Sequence, residues 1–456
     1  MFAPGLRASA LLLGGVLALS ACEDQPLKPG LDSDPGMEST SFARGGIPGP
    51  PDRVEIPRPI GPPPRVPVPL PPQARPPAFL DNAIAVGAGL GFSCALNAGG
   101  TALCWGLNDQ GQLGNGTLEP STVPVPVSGG LGFTRLFVGD DRACGITAEG
   151  STFCWGSNSQ GQLGAGPSVG PLSTEPVAVA GGHHFTQLSV GLRSTCGMAD
   201  DGIAYCWGSN YSGQLGVGLP IREDTDTPLP VVNSASLGLV AVNNGFVATC
   251  GLDAGGTVFC WGRDGGDFGN GPAPVVIYPT PIPAAGGMTL ATIEVGSLHA
   301  CGLDQDGRAY CWGRRNTLGE LGIGSTTPAY APTAVLGGLT FASIDTDDTN
   351  RSFKSVCGVT TSHEAWCWGN NDDGRLGGPS ADTCISGSVT FACSTTPVAV
   401  SGGIEFASVV VGADHACGLA VDGSVFCWGS NEFGELGDGS TQGSPVPVPV
   451  RGLTGR

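Results

Sequence analysis

The feature that most constrains this chain is a tripeptide that returns seven times. Cys-Trp-Gly begins at residues 104, 154, 206, 260, 311, 367 and 427, at intervals of 50, 52, 54, 51, 56 and 60 residues. A period of this size marks propeller blades or solenoid units, in which one supersecondary unit cannot bury its apolar face alone. Ten positions before each tripeptide stands another cysteine: Cys94, Cys144, Cys196, Cys250, Cys301, Cys357 and Cys417. The two sets take 14 of the 17 cysteines and leave Cys22, Cys384 and Cys393.

The ten-residue offset has a geometric meaning. Pairing Cys301 with Cys311 and counting inward sets Asp304 opposite Arg308 around the three-residue loop Gln305-Asp306-Gly307. Such hairpins end in a residue with left-handed backbone, which glycine adopts at little cost. Gly100, Gly150, Gly202, Gly256, Gly307 and Gly423 hold that position, and only the sixth unit departs, with His363. Pair types alternate outward from the loop, so the cysteines fall in a non-hydrogen-bonded pair with Cα atoms about 4.5 Å apart. That is within disulfide reach. Zinc ligands usually come as Cys-x₂₋₄-Cys, a spacing absent here. The reading predicts disulfides Cys94–Cys104, Cys144–Cys154, Cys196–Cys206, Cys250–Cys260, Cys301–Cys311, Cys357–Cys367 and Cys417–Cys427, with Cys384–Cys393 as an eighth.

Further strand signals keep the same period. An apolar strand such as Phe406–Val411 precedes the first cysteine, and an aromatic residue or leucine precedes the second. After Cys-Trp-Gly comes a polar turn, as in Asn158–Gly164, and then a Pro-Val strand. Each unit thus supplies about four short strands, the content of a propeller blade. The expected fold is all-β: a seven-bladed β-propeller over residues 81–456. Each Pro-Val strand can belong to the blade of the hairpin that follows it. The last, Pro445–Val450, has no hairpin after it, so the C-terminal strand is expected to join the blade of Cys94–Cys104 and close the ring.

The first 80 residues are different in kind. Arg7 and the apolar run Ala8–Leu19 read as a signal peptide, too short for a transmembrane span. The run ends in Leu19-Ser20-Ala21-Cys22, which resembles a bacterial lipobox and makes Cys22 the lipid-attachment residue after removal of residues 1–21. Residues 22–80 are rich in proline, favour extended polyproline II and read as a mostly disordered tether. An oxidising compartment and a bacterial cell-envelope location, periplasmic or surface-exposed, follow from the leader and the disulfides. The membrane is then engaged through the lipid alone.

Charge narrows the partners. Residues 81–456 hold 13 basic and 32 acidic side chains, so the formal −19 of the chain resides there. Such a surface repels nucleic acid.

The run Cys-Trp-Gly-x-Asn-x-x-Gly-Gln-Leu-Gly, followed by a Pro-Val strand, resembles the repeat of the regulator of chromosome condensation family. The resemblance covers residues 81–456 and implies a seven-bladed propeller. The fourth unit departs from the pattern at Trp261-Gly-Arg-Asp-Gly-Gly-Asp-Phe-Gly269, and the fifth has an extra residue before Gly322. The paired cysteines suit an exported variant. The family also implies two further activities: inhibition of β-lactamases and nucleotide exchange on a small GTPase. The second sits badly with an extracytoplasmic address.

No nucleophile elbow, phosphate loop or metalloprotease motif is present. His299 and His415 share one repeat position and read as scaffold. Glu223–Asp226 and Asp345–Asn350 are acidic but match no calcium-loop spacing. The expectation is a monomeric, non-enzymatic binding scaffold without metal or cofactor, presenting its loops to a protein or glycan of the cell envelope. Secreted enzyme inhibitor is the alternative, and hydrolase or lyase chemistry would rest on fold analogy only. The candidate binding loop lies in the sixth unit, where Phe341 to Cys357 spans 16 residues against 11 in three other units. Its candidate contact residues are Asp345, Asp347, Asp348, Arg351 and Lys354.

Overall fold

The computed structural model describes residues 80–347, 354–380 and 382–452. Cys22, the leader and the tether lie outside the described residues, as do Asp348 and Arg351. Among the described residues there are seven antiparallel sheets, arranged as the blades of a propeller. In the first blade the strands are Ala83–Ala88, Phe92–Asn97, Ala102–Gly106 and Ser121–Pro126, paired in chain order. No helix among the described residues is long and apolar enough to cross a membrane.

The local chemistry explains the hairpins. Asp304 N–H donates to the Arg308 carbonyl at 3.0 Å, and Gly307 has φ 79°. In the sixth blade His363 takes the same left-handed position at φ 65°. Left-handed backbone costs a side-chain-bearing residue about 1–2 kcal/mol. The His363 ring lies 3.1 Å from the Phe406 carbonyl of the next blade, a contact glycine could not make. The cysteines face each other in register, Cys94 with Cys104 and so on around the ring. Seven pairs have Cα separations of 4.0–4.1 Å and the Cys384–Cys393 pair 5.9 Å, and all eight are bonded.

The outer strands correct one expectation. Each Pro-Val strand pairs with the Cys-Trp-Gly strand before it, not with the hairpin after it: Leu103 faces Pro126 and Cys104 faces Val125. Ser444–Pro449 accordingly pairs with Val425–Gly429 inside the seventh blade and does not join the first. Proline lacks a donor, and on an outermost strand the missing donor can face solvent. The valines create the ambiguity seen in the sequence. Val125 and Val127 hydrogen-bond within blade one, yet their side chains pack with Phe133, Ala143 and Trp155 of blade two.

The ring closes between blade seven and blade one without strand exchange. Leu80 N–H donates to the Val450 carbonyl at 3.1 Å, Val425 N–H donates to the Leu80 carbonyl at 3.2 Å, and Ala83 N–H donates to Gly423. Leu80, Ala83 and Trp105 share one core cluster with Val425, Leu436 and Val450. The C-terminus therefore contributes to closure through Val450, one residue beyond the strand.

The sixth blade has a fifth strand. Asp382–Ser386 pairs outside Val389–Ala399, and the Cys384–Cys393 bond staples the two.

Candidate functional site

Each indole of a Cys-Trp-Gly is fully buried and donates to a carbonyl of the preceding blade. Trp155 Nε1 reaches the Gln112 carbonyl at 3.1 Å, Trp207 that of Gln162 at 3.0 Å, and Trp261 that of Gln214 at 2.9 Å. Trp105 completes the circle by donating to Glu435 of the last blade at 2.8 Å. The residue before the turn's Leu or Phe therefore has a defined task, whether it is Gln112, Gln162, Gln214, Asp267, Glu320, Arg375 or Glu435. Its carbonyl receives the neighbour's indole, and where it is Gln or Glu its side-chain oxygen also caps its own turn, as Gln112 does for Gln110 N–H. The recurring pattern of the repeat unit is thus inter-blade structure.

His299 and His415 belong to that structure. The His299 Nε2 lies 2.7 Å from Thr346 Oγ1, and the His415 Nε2 lies 2.7 Å from Ser93 Oγ, each in the next blade. Burial pushes them down to about 3 and about 4 from the ordinary 6.5, with Lys354 and Arg315 adding to the effect on His299. Both imidazoles are neutral at physiological pH. At the same repeat position in blade two, Arg142 is fully buried and donates to the carbonyls of Leu192 and Ser194 at 2.9 and 2.7 Å. Sequence reading passed over Arg142. Its place two residues before Cys144, equivalent to the two histidines, was the available signal.

The inner strands line a central channel of about 230 Å³. The residue facing the first cysteine of each hairpin lines it. These residues are Gly87, Phe137, Ser189, Asn243, Glu294, Asp345 and Val410, apolar in blades seven, one and two and polar in blades three to six. The polar ones tie inner strands together. Ser189 Oγ accepts from Asn244 N–H, Asn243 Oδ1 from Val295 N–H, and Asp345 Oδ2 from Val411 N–H at 2.6 Å.

This placement corrects the candidate loop of the sixth blade. Asp345 lies within strand Phe341–Thr346 and lines the channel. Desolvation, with Asp347 adding repulsion, pushes its carboxyl up to about 7. Asp347 and Lys354 form a 3.1 Å ion pair with neither side chain exposed. Asp347 and Lys354 are interior, because a charged pair removed from water must find its partner inside the fold, and Asp345 is half-buried along the channel wall. They do not form a contact surface. Of the other acidic stretch, Asp224 caps a turn by accepting from Asn210 N–H at 2.7 Å. Among the described residues no group of three or more His, Cys, Asp or Glu could hold a metal ion.

In a four-stranded meander the first-to-second and third-to-fourth connections emerge on one face. That face carries the largest departure from the repeat among the described residues. The stapled hairpin of blade six lies there, anchored where Leu318 of blade five packs on Cys384, Cys393 and Phe391. Its tip presents Ile385 and Val389, 70% and 52% exposed.

The architecture and the closed indole ring define the class: a seven-bladed propeller scaffold. Models of the regulator of chromosome condensation (RCC1) repeat match residues 83–112, 133–162, 185–214, 291–320 and 406–435, and, in a second form, 99–145, 149–198 and 422–456. The chain therefore carries RCC1 repeats on a seven-bladed propeller. It is 27% identical over 276 residues to the ultraviolet-B receptor UVR8 of Arabidopsis thaliana, covering 59% of this chain and 58% of that one. It is 26% identical over 273 residues to the E3 ubiquitin-protein ligase HERC2 of Mus musculus, covering 59% of this chain and only 5% of that much longer protein. Among solved structures, Prp20p of Saccharomyces cerevisiae superposes with a TM-score of 0.67 at 20% identity, covering 82% of this chain and 88% of that one. Human WBSCR16 superposes with a TM-score of 0.64 at 21% identity, covering 75% and 88%.

Proposed function

We propose that this chain is a non-enzymatic binding scaffold, lipid-anchored outside the cytoplasm, that holds a protein or glycan partner on the face carrying the blade-six hairpin. The observation that carries the reading is that hairpin. Among the described residues a fifth strand is added to one blade only, is covalently stapled, and displays Ile385 and Val389 to solvent at its tip. Aliphatic side chains on a rigid support lose little entropy on docking. A protein partner is supported by the structure of Prp20p, described with its binding to Gsp1p and histones. The Leu19–Cys22 sequence supports the anchor, and the disulfides suit an oxidising compartment.

The test is retention of a partner from an envelope extract on the purified chain, against the double variant Ile385→Asp/Val389→Asp. Stoichiometric retention lost in the variant is expected. Substrate turnover, or retention indifferent to the substitutions, would overturn the reading. Loss of activity in a retained enzyme would favour the inhibitor alternative. For the anchor, Cys22→Ser should move the protein from the membrane to the soluble fraction; unchanged partition would refute it.

A further inference from the structure

Every blade of a propeller has an outer edge, and an unpaired strand edge offers its N–H and C=O groups to any extended chain. Proline blunts that edge in six blades. Their outermost strands are Ser121–Pro126, Leu172–Ala178, Thr225–Pro230, Val276–Pro283, Ala329–Ala334 and Ser444–Pro449, and each contains at least one proline. A proline has no backbone donor to offer a further strand. Blade six is the exception. Its proline-bearing strand, Val389–Ala399, is covered along residues 389–393 by Asp382–Ser386, and the covering sequence Asp-Thr-Cys-Ile-Ser holds no proline.

The register shows which groups of that strand are left over. Ser386 faces Val389 across the two-residue loop Gly387-Ser388, with Gly387 at φ 63°. The pair that closes such a loop is hydrogen-bonded, and pair types alternate away from it. Ser386, Cys384 and Asp382 therefore turn their backbone groups inward, to Val389–Cys393. Thr383 and Ile385 turn theirs outward. Among the described residues neither makes a main-chain hydrogen bond outside the hairpin, and both are exposed. The edge has a firm support: the Cys384–Cys393 bond ties its strand to the next, and Leu318 of blade five packs on both cysteines and Phe391.

We propose that the Thr383–Ile385 edge is a strand-addition site, which takes an extended, proline-free segment of a protein partner as a sixth strand of blade six. Donors and acceptors repeating every second residue are complementary to another extended backbone. The hydroxyls of a glycan carry no such period. An antiparallel segment exchanges two hydrogen bonds with Thr383 and two with Ile385. The strand bears one charge, Asp382, in a domain of formal charge −19, so a neutral or basic segment is favoured over an acidic one. The proposal rests on the reading of the blade-six hairpin as the partner-binding element, and adds that the main chain makes the contact.

The probe is a synthetic peptide of alternating valine and threonine flanked by lysines, titrated by calorimetry into the full chain. Recognition through the main chain tolerates most side chains, so a generic strand former suffices. Saturable one-to-one binding is expected. The same peptide with two adjacent central amides N-methylated, which blocks both of its edges, should bind at least about tenfold more weakly. Thr383→Pro and Ile385→Pro remove outward donors and leave the bonds to Val389–Cys393 in place, so each should weaken binding about tenfold. Ile385→Thr keeps the donor and should bind nearly as the parent does. Hydrogen exchange of the unaltered chain needs no variant: saturating peptide should slow exchange within Asp382–Ser386. No saturable binding by about 5 mM peptide, binding indifferent to the amide methyls, or binding without added protection of Asp382–Ser386 would overturn the proposal. The two readings fail separately. Retention of an envelope partner that survives both proline variants but is lost in Ile385→Asp/Val389→Asp would sink strand addition and leave the hairpin as a side-chain contact. Retention indifferent to all of these variants would remove the hairpin itself.

Discussion

Replacing Trp155 and Trp207 by phenylalanine should destabilise the propeller unequally. Both indoles are fully buried, so each substitution removes the same volume. Each also removes one hydrogen bond to a neighbouring blade, at 3.1 Å to Gln112 and 3.0 Å to Gln162. What differs is the acceptor left behind. The Gln162 carbonyl also accepts from Thr195 Oγ1 at 3.0 Å, whereas Ala143 stands at the equivalent place beside Gln112 and offers no hydroxyl. A hydrogen bond lost with its acceptor still served costs about 1 kcal/mol, and a buried acceptor stranded without a partner costs about 1–3 kcal/mol. Trp155→Phe should therefore be worse than Trp207→Phe by about 1–2 kcal/mol. Urea unfolding of the oxidised protein, followed by far-ultraviolet dichroism, measures the difference through the midpoint at unchanged slope. Equal losses, or a larger loss for Trp207→Phe, would refute the assignment of the indole–carbonyl ring as a set of locally satisfied bonds.

Asp345→Asn should stabilise the fold at pH 8 by on the order of 2 kcal/mol, because the parent then buries a carboxylate whose folded pKa is about 7 against an ordinary 3.8. The folded parent takes up its proton first, so acidification stabilises it; the advantage of Asn should shrink from pH 7 towards pH 4, and a pH-independent difference would sink the argument. His415→Gln should act in the opposite sense. The folded pKa of His415 is about 4 against 6.5, so the parent loses stability as pH falls below 6.5, reaching about 2 kcal/mol by pH 5, and the Gln variant should lack that slope in urea titrations. Leu80→Ala, at the only seam the chain does not bridge covalently, should cost about 2–5 kcal/mol, while deletion of residues 25–75 should leave the melting temperature nearly unchanged. Cys384→Ser/Cys393→Ser should barely shift the midpoint, since it frees an added edge hairpin, whereas Cys94→Ser/Cys104→Ser should cost about 2 kcal/mol in blade one.

What the sequence determined by itself was everything carried by short spacing. The ten-residue cysteine offset and the turn residues at Gly307 and its equivalents set the hairpin register, because contacts so close in the chain follow from turn geometry alone. The return of that unit set the number of blades. Tertiary structure decided what depends on neighbours about 50 residues away. The Pro-Val strand was legible as a strand but not as part of the preceding blade, since its valines touch both blades and only its hydrogen bonds tell them apart. Asp345, Asp347 and Lys354 read as an exposed charged loop, and the ring turned them inward: Asp345 because its strand position borders the channel, Asp347 and Lys354 because each supplies the other's buried counter-charge. Arg263 and Gly265 stand in one blade and Arg314 in the next, and each is unremarkable singly. Only the packing of blade four against blade five converts them into one cleft, because the direction of a side chain across a blade seam is fixed by the ring and not by local sequence.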